Sequence, residues 1–107
     1  MEKKIYRQGD VLIERIDGDI PEAATKLPRE AGLVTLARGE ATGHHHSIAN
    51  RGVCMYQCED GRYLNIGGKT PAVLFHQEHS KVELPPGRYK VTIQREYVAG
   101  ELRNVAD

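Results

Sequence analysis

No stretch of this chain stays apolar for the roughly 20 residues that a membrane-spanning helix needs. The opening Met1-Glu2-Lys3-Lys4-Ile5 also lacks the apolar centre of a signal peptide. A cytosolic protein with no membrane partner is the expectation. Charge of one sign is missing too, because 15 Lys and Arg balance 15 Asp and Glu. Non-specific nucleic-acid affinity is built on an excess of Lys and Arg, so a general polyanion binder is excluded, and RNA is left as a partner only for a local basic patch. Cysteine is scarce, with Cys54 and Cys58 alone. On a strand these two share a face, but four residues at about 3.3 Å each hold them roughly 13 Å apart. That is too far for a disulfide and awkward for one metal ion, so both are expected as reduced core thiols. Also absent is any long amphipathic helical pattern.

What is present reads as strand. Length sets one domain, residues 1–107. A turn at Gln8-Gly9-Asp10 precedes Val11-Leu12-Ile13-Glu14-Arg15-Ile16, whose β-branched residues predict the first strand. From Asp17 to Gly32, Pro21, Pro28 and mixed charge predict one long surface loop with at most a helical turn at Glu22-Ala23-Ala24. Strands follow at Leu33–Ala37, Val53–Cys58, Tyr63–Ile66, Ala72–His76 and around Val82-Glu83-Leu84. Asp60-Gly61 marks a hairpin and Pro85-Pro86-Gly87 a rigid turn. Beyond that turn Tyr89, Val91 and Ile93 alternate cleanly with Lys90, Thr92 and Gln94, and Arg95 and Tyr97 continue the inward set. The tail, about residues 98–107, is expected as a short helix or a disordered end. Strands at this spacing predict an all-β, single-domain antiparallel barrel or sandwich with one long loop near the N-terminus. Closure is favoured because open edges invite aggregation.

All five histidines fall in two places, Gly43-His44-His45-His46-Ser47-Ile48 and Phe75-His76-Gln77-Glu78-His79. Neutral imidazole is the commonest protein ligand for transition metals. On an extended chain His44, His46 and Ile48 share one face while His45 and Ser47 take the other. That makes His44 and His46 a two-nitrogen pincer and leaves His45 outside or behind the site. In the second cluster the same rule sets Leu74, His76 and Glu78 together, so His76 is the third ligand, and His79 or Glu78 fills a fourth position if the chain turns there. Three protein ligands with one position open is the pattern of catalytic sites. Glu78, and less directly Glu40, is a candidate general base on a metal-bound water. A Gly-flanked histidine run is alternatively an exposed turn. Arg95 is read either as a carboxylate or phosphate anchor or as a strand-end ion pair.

The His-x-His pair after the glycine-containing turn at Gly39, with a later histidine on another strand, resembles the cupin family of small metal-binding β-barrels. In that family a glutamate follows the first pair and the last histidine follows a Pro-Gly turn. Here no glutamate follows closely, and His76 precedes Pro86-Gly87. The segments Asp10–Ile16, Gly32-Leu33-Val34 and Ala37-Arg38-Gly39-Glu40 are similar to the start of the co-chaperonin (chaperonin-10) barrel, which implies a barrel with a mobile loop between its first strands. The sequence therefore leads to a divalent transition metal held by His44, His46, His76 and His79. Zinc is the default, with iron, manganese or nickel as options, and hydrolysis or oxygen chemistry on a small molecule is the expected use. The competing expectation is a non-catalytic binding or assembly module, homo-oligomeric or contacting a protein or RNA.

Overall fold

The computed structural model describes residues 4–38, 43–98 and 101–104, and side chains for all of these except 95–98 and 101–104. The strands are β1 Ile5–Gln8, β2 Val11–Arg15, β3 Thr25–Lys26, β4 Val34–Arg38, β5 His45–Ile48, β6 Val53–Cys58, β7 Gly61–Ile66, β8 Ala72–Phe75, β9 Val82–Leu84, β10 Gly87–Ile93, β11 Arg95–Val98 and β12 Glu101–Asn104. Among the described residues there is no helix. Six strands form one sheet in the order β1-β2-β10-β7-β6-β3, and four form a second in the order β4-β5-β8-β9. Every strand pair is antiparallel, and β11 pairs with β12.

Alternation in the sequence decides which face is inside. Val11 and Ile13 of β2, Leu36 of β4, Ile48 of β5, Leu64 of β7, Leu74 of β8, Leu84 of β9 and Tyr89 of β10 are all fully buried, and together they form one core drawn from both sheets. Removing each such aliphatic side chain from water contributes about 1.5–3 kcal/mol. Two sheets facing one apolar interior is the architecture of a sandwich. Barrel closure, the favoured sequence expectation, is not observed, since β1 and β3 edge the larger sheet and β4 and β9 the smaller one.

Three elements differ from the sequence reading. β1 pairs with β2 from Ile5↔Glu14 to Gln8↔Val11, although its burial runs exposed, half-buried, exposed, buried, with no apolar alternation to announce it. The Asp17–Gly32 segment is more ordered than a plain loop. A turn closes with Ala24 N donating to Pro21 O, β3 pairs with β6, and Glu30 bridges to Leu33. Arg29 then donates to the carbonyls of Gly32, Asn50, Arg51 and Val53, which ties the segment to the β5–β6 connection. At the other end, Glu101–Asn104 is neither helix nor coil but a strand, paired with β11 through Tyr97↔Leu102 and Val98↔Glu101. A tail of this length is too short to hold a helix unaided, whereas a hairpin satisfies its backbone groups at once.

The cysteines are free and half-buried rather than part of the core. Val53 and Met55 take the inward positions of β6, so Cys54 and Cys58 point the other way. The Cys58 thiol donates to Asp60 Oδ1 at 2.6 Å, and the Tyr63 hydroxyl donates to Asp60 Oδ2 at 2.6 Å. Both donors hold the Asp60 carboxyl below its usual range, and the same bonds push the Cys58 thiol up and the Tyr63 hydroxyl up to about 12. A thiol held protonated in this way is a poor nucleophile and a poor ligand.

Candidate metal centre

The site is built at one end of the smaller sheet. Pairing of β4 with β5 runs Val34↔Ile48 and Thr35↔Ser47, and then shifts to Ala37↔His46, so that Leu36 is the extra residue of a β-bulge opposite His46. Bulges bend a strand and re-aim its side chains. His46 and Ile48 point inward, both fully buried. His45 points the other way, its Nδ1 2.6 Å from Ser47 Oγ and its ring packed edge-on against Phe75, so it takes no part in the site. Strand period alone set this division correctly.

The second cluster arrives from β8. Leu74 is inward, and His76, two residues on, is buried on the same side. Beyond it the chain bends through Gln77-Glu78-His79, and His76 Nδ1 accepts the backbone N–H of Glu78 at 3.1 Å and of His79 at 3.2 Å. That bend returns His79 to the cluster and leaves Glu78 at the rim, its side chain 70% exposed with Oε1 3.7 Å from His44 Nε2.

Four imidazoles therefore meet. Ring centres are 5.3 Å apart for His44 and His76, 4.4 Å for His46 and His76, 4.7 Å for His76 and His79, and 6.1 Å for His46 and His79. His44 Nδ1 and His79 Nε2 are buried and have no hydrogen-bond partner among the described residues. Two residues that the sequence reading treated only as turn chemistry also belong here. Gln8 is buried, its amide nitrogen donating to Leu74 O and Ser80 O, both at 3.0 Å, and its Oε1 lies 2.8 Å from His46 Nδ1. Asp10 is 2% exposed and puts Oδ1 3.6 Å from His46 Nε2.

These partners fix the tautomers. With both amide protons of Gln8 spent on carbonyls, the atom facing His46 is an acceptor, so His46 Nδ1 carries a proton. His76 is the reverse, because Nδ1 accepts two amides and the proton of the neutral ring sits on Nε2. Among the described residues, no set of three or more His, Cys, Asp or Glu groups is arranged to hold a metal ion as it stands. Glu40 lies outside the described residues, as does the side chain of Arg95. Gln8 and Asp10 carried one usable signal, a polar pair flanking a glycine immediately before an apolar strand.

No curated protein and no solved structure matches the chain. A family model does, from Arg7 to Gln94, a span that holds Gln8, Asp10, every histidine and all of both sheets except the first two residues of β1. By that match the chain belongs to the family described as Domain of unknown function (DUF8820).

Proposed function

We propose that the protein binds a divalent transition metal ion at this cluster, drawing its ligands from His44, His46, His76 and His79. The observation that carries the reading is the meeting of four imidazole rings with two buried, hydrogen-bond-free nitrogens among them. Two imidazoles sharing a tetrahedral ion through bonds of about 2.0–2.1 Å hold their ring centres roughly 5 Å apart, and the separations here bracket that value. Adjustments of side-chain torsion convert such a cluster into a coordination shell. Nitrogen-rich sites of this kind take zinc by default and iron, manganese or nickel according to geometry and supply.

A bound ion would supply Lewis acidity at any position left open. Glu78, exposed beside His44, is the group placed to take a proton from a water or substrate there. Hydrolysis is the reaction class that needs no more than these parts.

Elemental analysis of untagged protein purified without chelator, beside a His44→Ala/His46→Ala double variant, tests the proposal. Near-stoichiometric metal in the wild type and its loss in the variant are expected. Metal-free protein in both cases overturns it.

A further inference from the structure

We infer that the far end of the smaller sheet from the histidines holds a site for an organic phosphate, a phosphoryl group on an apolar body, formed around Arg51. β5 carries the histidine run at its start and continues into Asn50-Arg51 at its other end, where Ile48 pairs with Val34, the first residue of β4. There a hollow of about 380 Å³ opens between the β3 segment, β4 and the start of β6. Lys26, Arg29 and Arg51 line it, with Leu27, Val34 and Val53 as its apolar wall and no carboxylate. A second hollow of about 260 Å³ shares Arg51 and Val53 and continues over Gly52, Gly68 and Thr70, again without a carboxylate.

Positive charge collects here in a chain that is neutral as a whole. Arg38, Arg88 and Lys90 each have a carboxylate beside them, from Glu30, Asp19 and Asp60. Among the described residues Lys26, Arg29 and Arg51 have none. Arg29 is fixed by the carbonyls of Gly32, Asn50, Arg51 and Val53, which satisfy its N–H groups without cancelling its charge, and the bond to Arg51 O ties the two arginines together. Three positive charges around one hollow repel one another, and a dianionic group among them relieves that repulsion. The Arg51 fork and the Lys26 ammonium supply its donors, since among the described residues neither head makes a hydrogen bond. Small-ligand pockets have this size and this mixture of an apolar wall with a few convergent polar groups, so the wall takes the body of the ligand. Three cations match one phosphate, whereas a polyanion binds through many phosphate contacts.

Inorganic phosphate and phenyl phosphate are titrated into 15N-labelled wild type, Arg51→Glu and Lys26→Glu, with backbone amide shifts as the readout. Both substituted side chains are exposed, and Arg51 holds Arg29 through its carbonyl, so neither change removes a bond that supports the fold. Saturable shifts are expected at the amides of Lys26, Leu27, Arg29, Arg51 and Val53 in wild type. Phenyl phosphate is expected to bind at least about tenfold more tightly than phosphate because its ring leaves water, and each variant to bind it at least about tenfold more weakly. The amides of His44 to Ser47 stay in place, which separates this site from a phosphate held at the histidine cluster. Absence of saturable shifts at this end, equal binding by wild type and Arg51→Glu, or equal affinity for the two ligands overturns the inference. A single-stranded oligonucleotide that binds here through Arg51 and more tightly than phenyl phosphate also overturns it, and makes this end a nucleic-acid contact. None of these results bears on the metal reading.

Discussion

Gln8 on β1 and His46 on β5 meet across the two sheets, the amide Oε1 2.8 Å from the ring Nδ1, while the same amide holds Leu74 and Ser80 by their carbonyls. One buried side chain thus links the larger sheet, the end of β8 and the turn beyond His79. Gln8→Leu keeps the volume and removes every one of these bonds. A buried polar group left unsatisfied costs about 1–3 kcal/mol, so a loss of at least about 2 kcal/mol is expected in denaturant titration. A purely structural role would stop there; a positioning role also predicts that the ring 15N spectrum shows His46 as a mixture of tautomers instead of a single one.

Ligand linkage supplies a second check. Zinc at a hundredfold excess over its dissociation constant adds about 2.7 kcal/mol to the stability of a protein that binds it only when folded. The midpoint of thermal unfolding is expected to rise with added zinc in wild type and to stay flat in His46→Ala. A flat midpoint in wild type would count against the metal site.

Asp60 and Tyr63 set opposite limbs of a stability–pH curve. The Asp60 carboxyl is held low by the Cys58 and Tyr63 donors, so its contribution is present above the unfolded carboxyl value of about 3.9 and is lost as pH falls through the folded one. Tyr63 is pushed up to about 12 by its bond to Asp60, so its contribution is complete below the unfolded value of about 10 and is lost as pH rises through the folded one. Because one bond couples the two groups, the stability differences of Asp60→Asn and of Tyr63→Phe from wild type should each narrow in acid and again in the alkaline window, and stay flat between them. Parallel curves across the whole range would contradict the assignment.

Arg29 predicts a local effect. Its guanidinium gathers the carbonyls that tie the Leu27–Leu33 stretch to the start of β6. These carbonyls are largely accessible to water, so Arg29→Ala is expected to cost about 1 kcal/mol globally but to open this stretch selectively. Limited proteolysis should cut the variant between Leu27 and Leu33 well before it cuts wild type, and equal cleavage patterns would remove the clamp from the account.

The core strands were legible because their inward positions carry Val, Ile, Leu, Met and Tyr at a period of two, as in Val11 and Ile13 or Tyr89 and Val91. The same period separated His46 from His45 and aligned His76 with Leu74. β1 was not legible, since Ile5 is 56% exposed at a sheet edge and Gln8 is the residue that goes inside. Nor was β3, whose two residues are held by pairing to β6 rather than by their own propensity. Gln8 and Asp10 escaped notice because polar residues around a glycine signal a turn by composition alone, and only the second sheet packing over them turns them into buried partners of a histidine. The bend that brings His79 back depends on His76 capturing two amides, a side-chain event that no periodicity records.

The bulge at Leu36, with the spacing of Asp10, His46 and His76 along the chain, has a consequence for the order of folding. His46 and His76 come together on neighbouring strands of the smaller sheet, and Asp10 reaches His46 from the larger one only after the two sheets have docked. An ion held by His46, where the two sheets meet, would act as a late crosslink, closing long loops whose ends the unfolded chain rarely brings together. Such a bond selects against partly assembled sheets, so metal occupancy would report completed docking rather than the presence of strands.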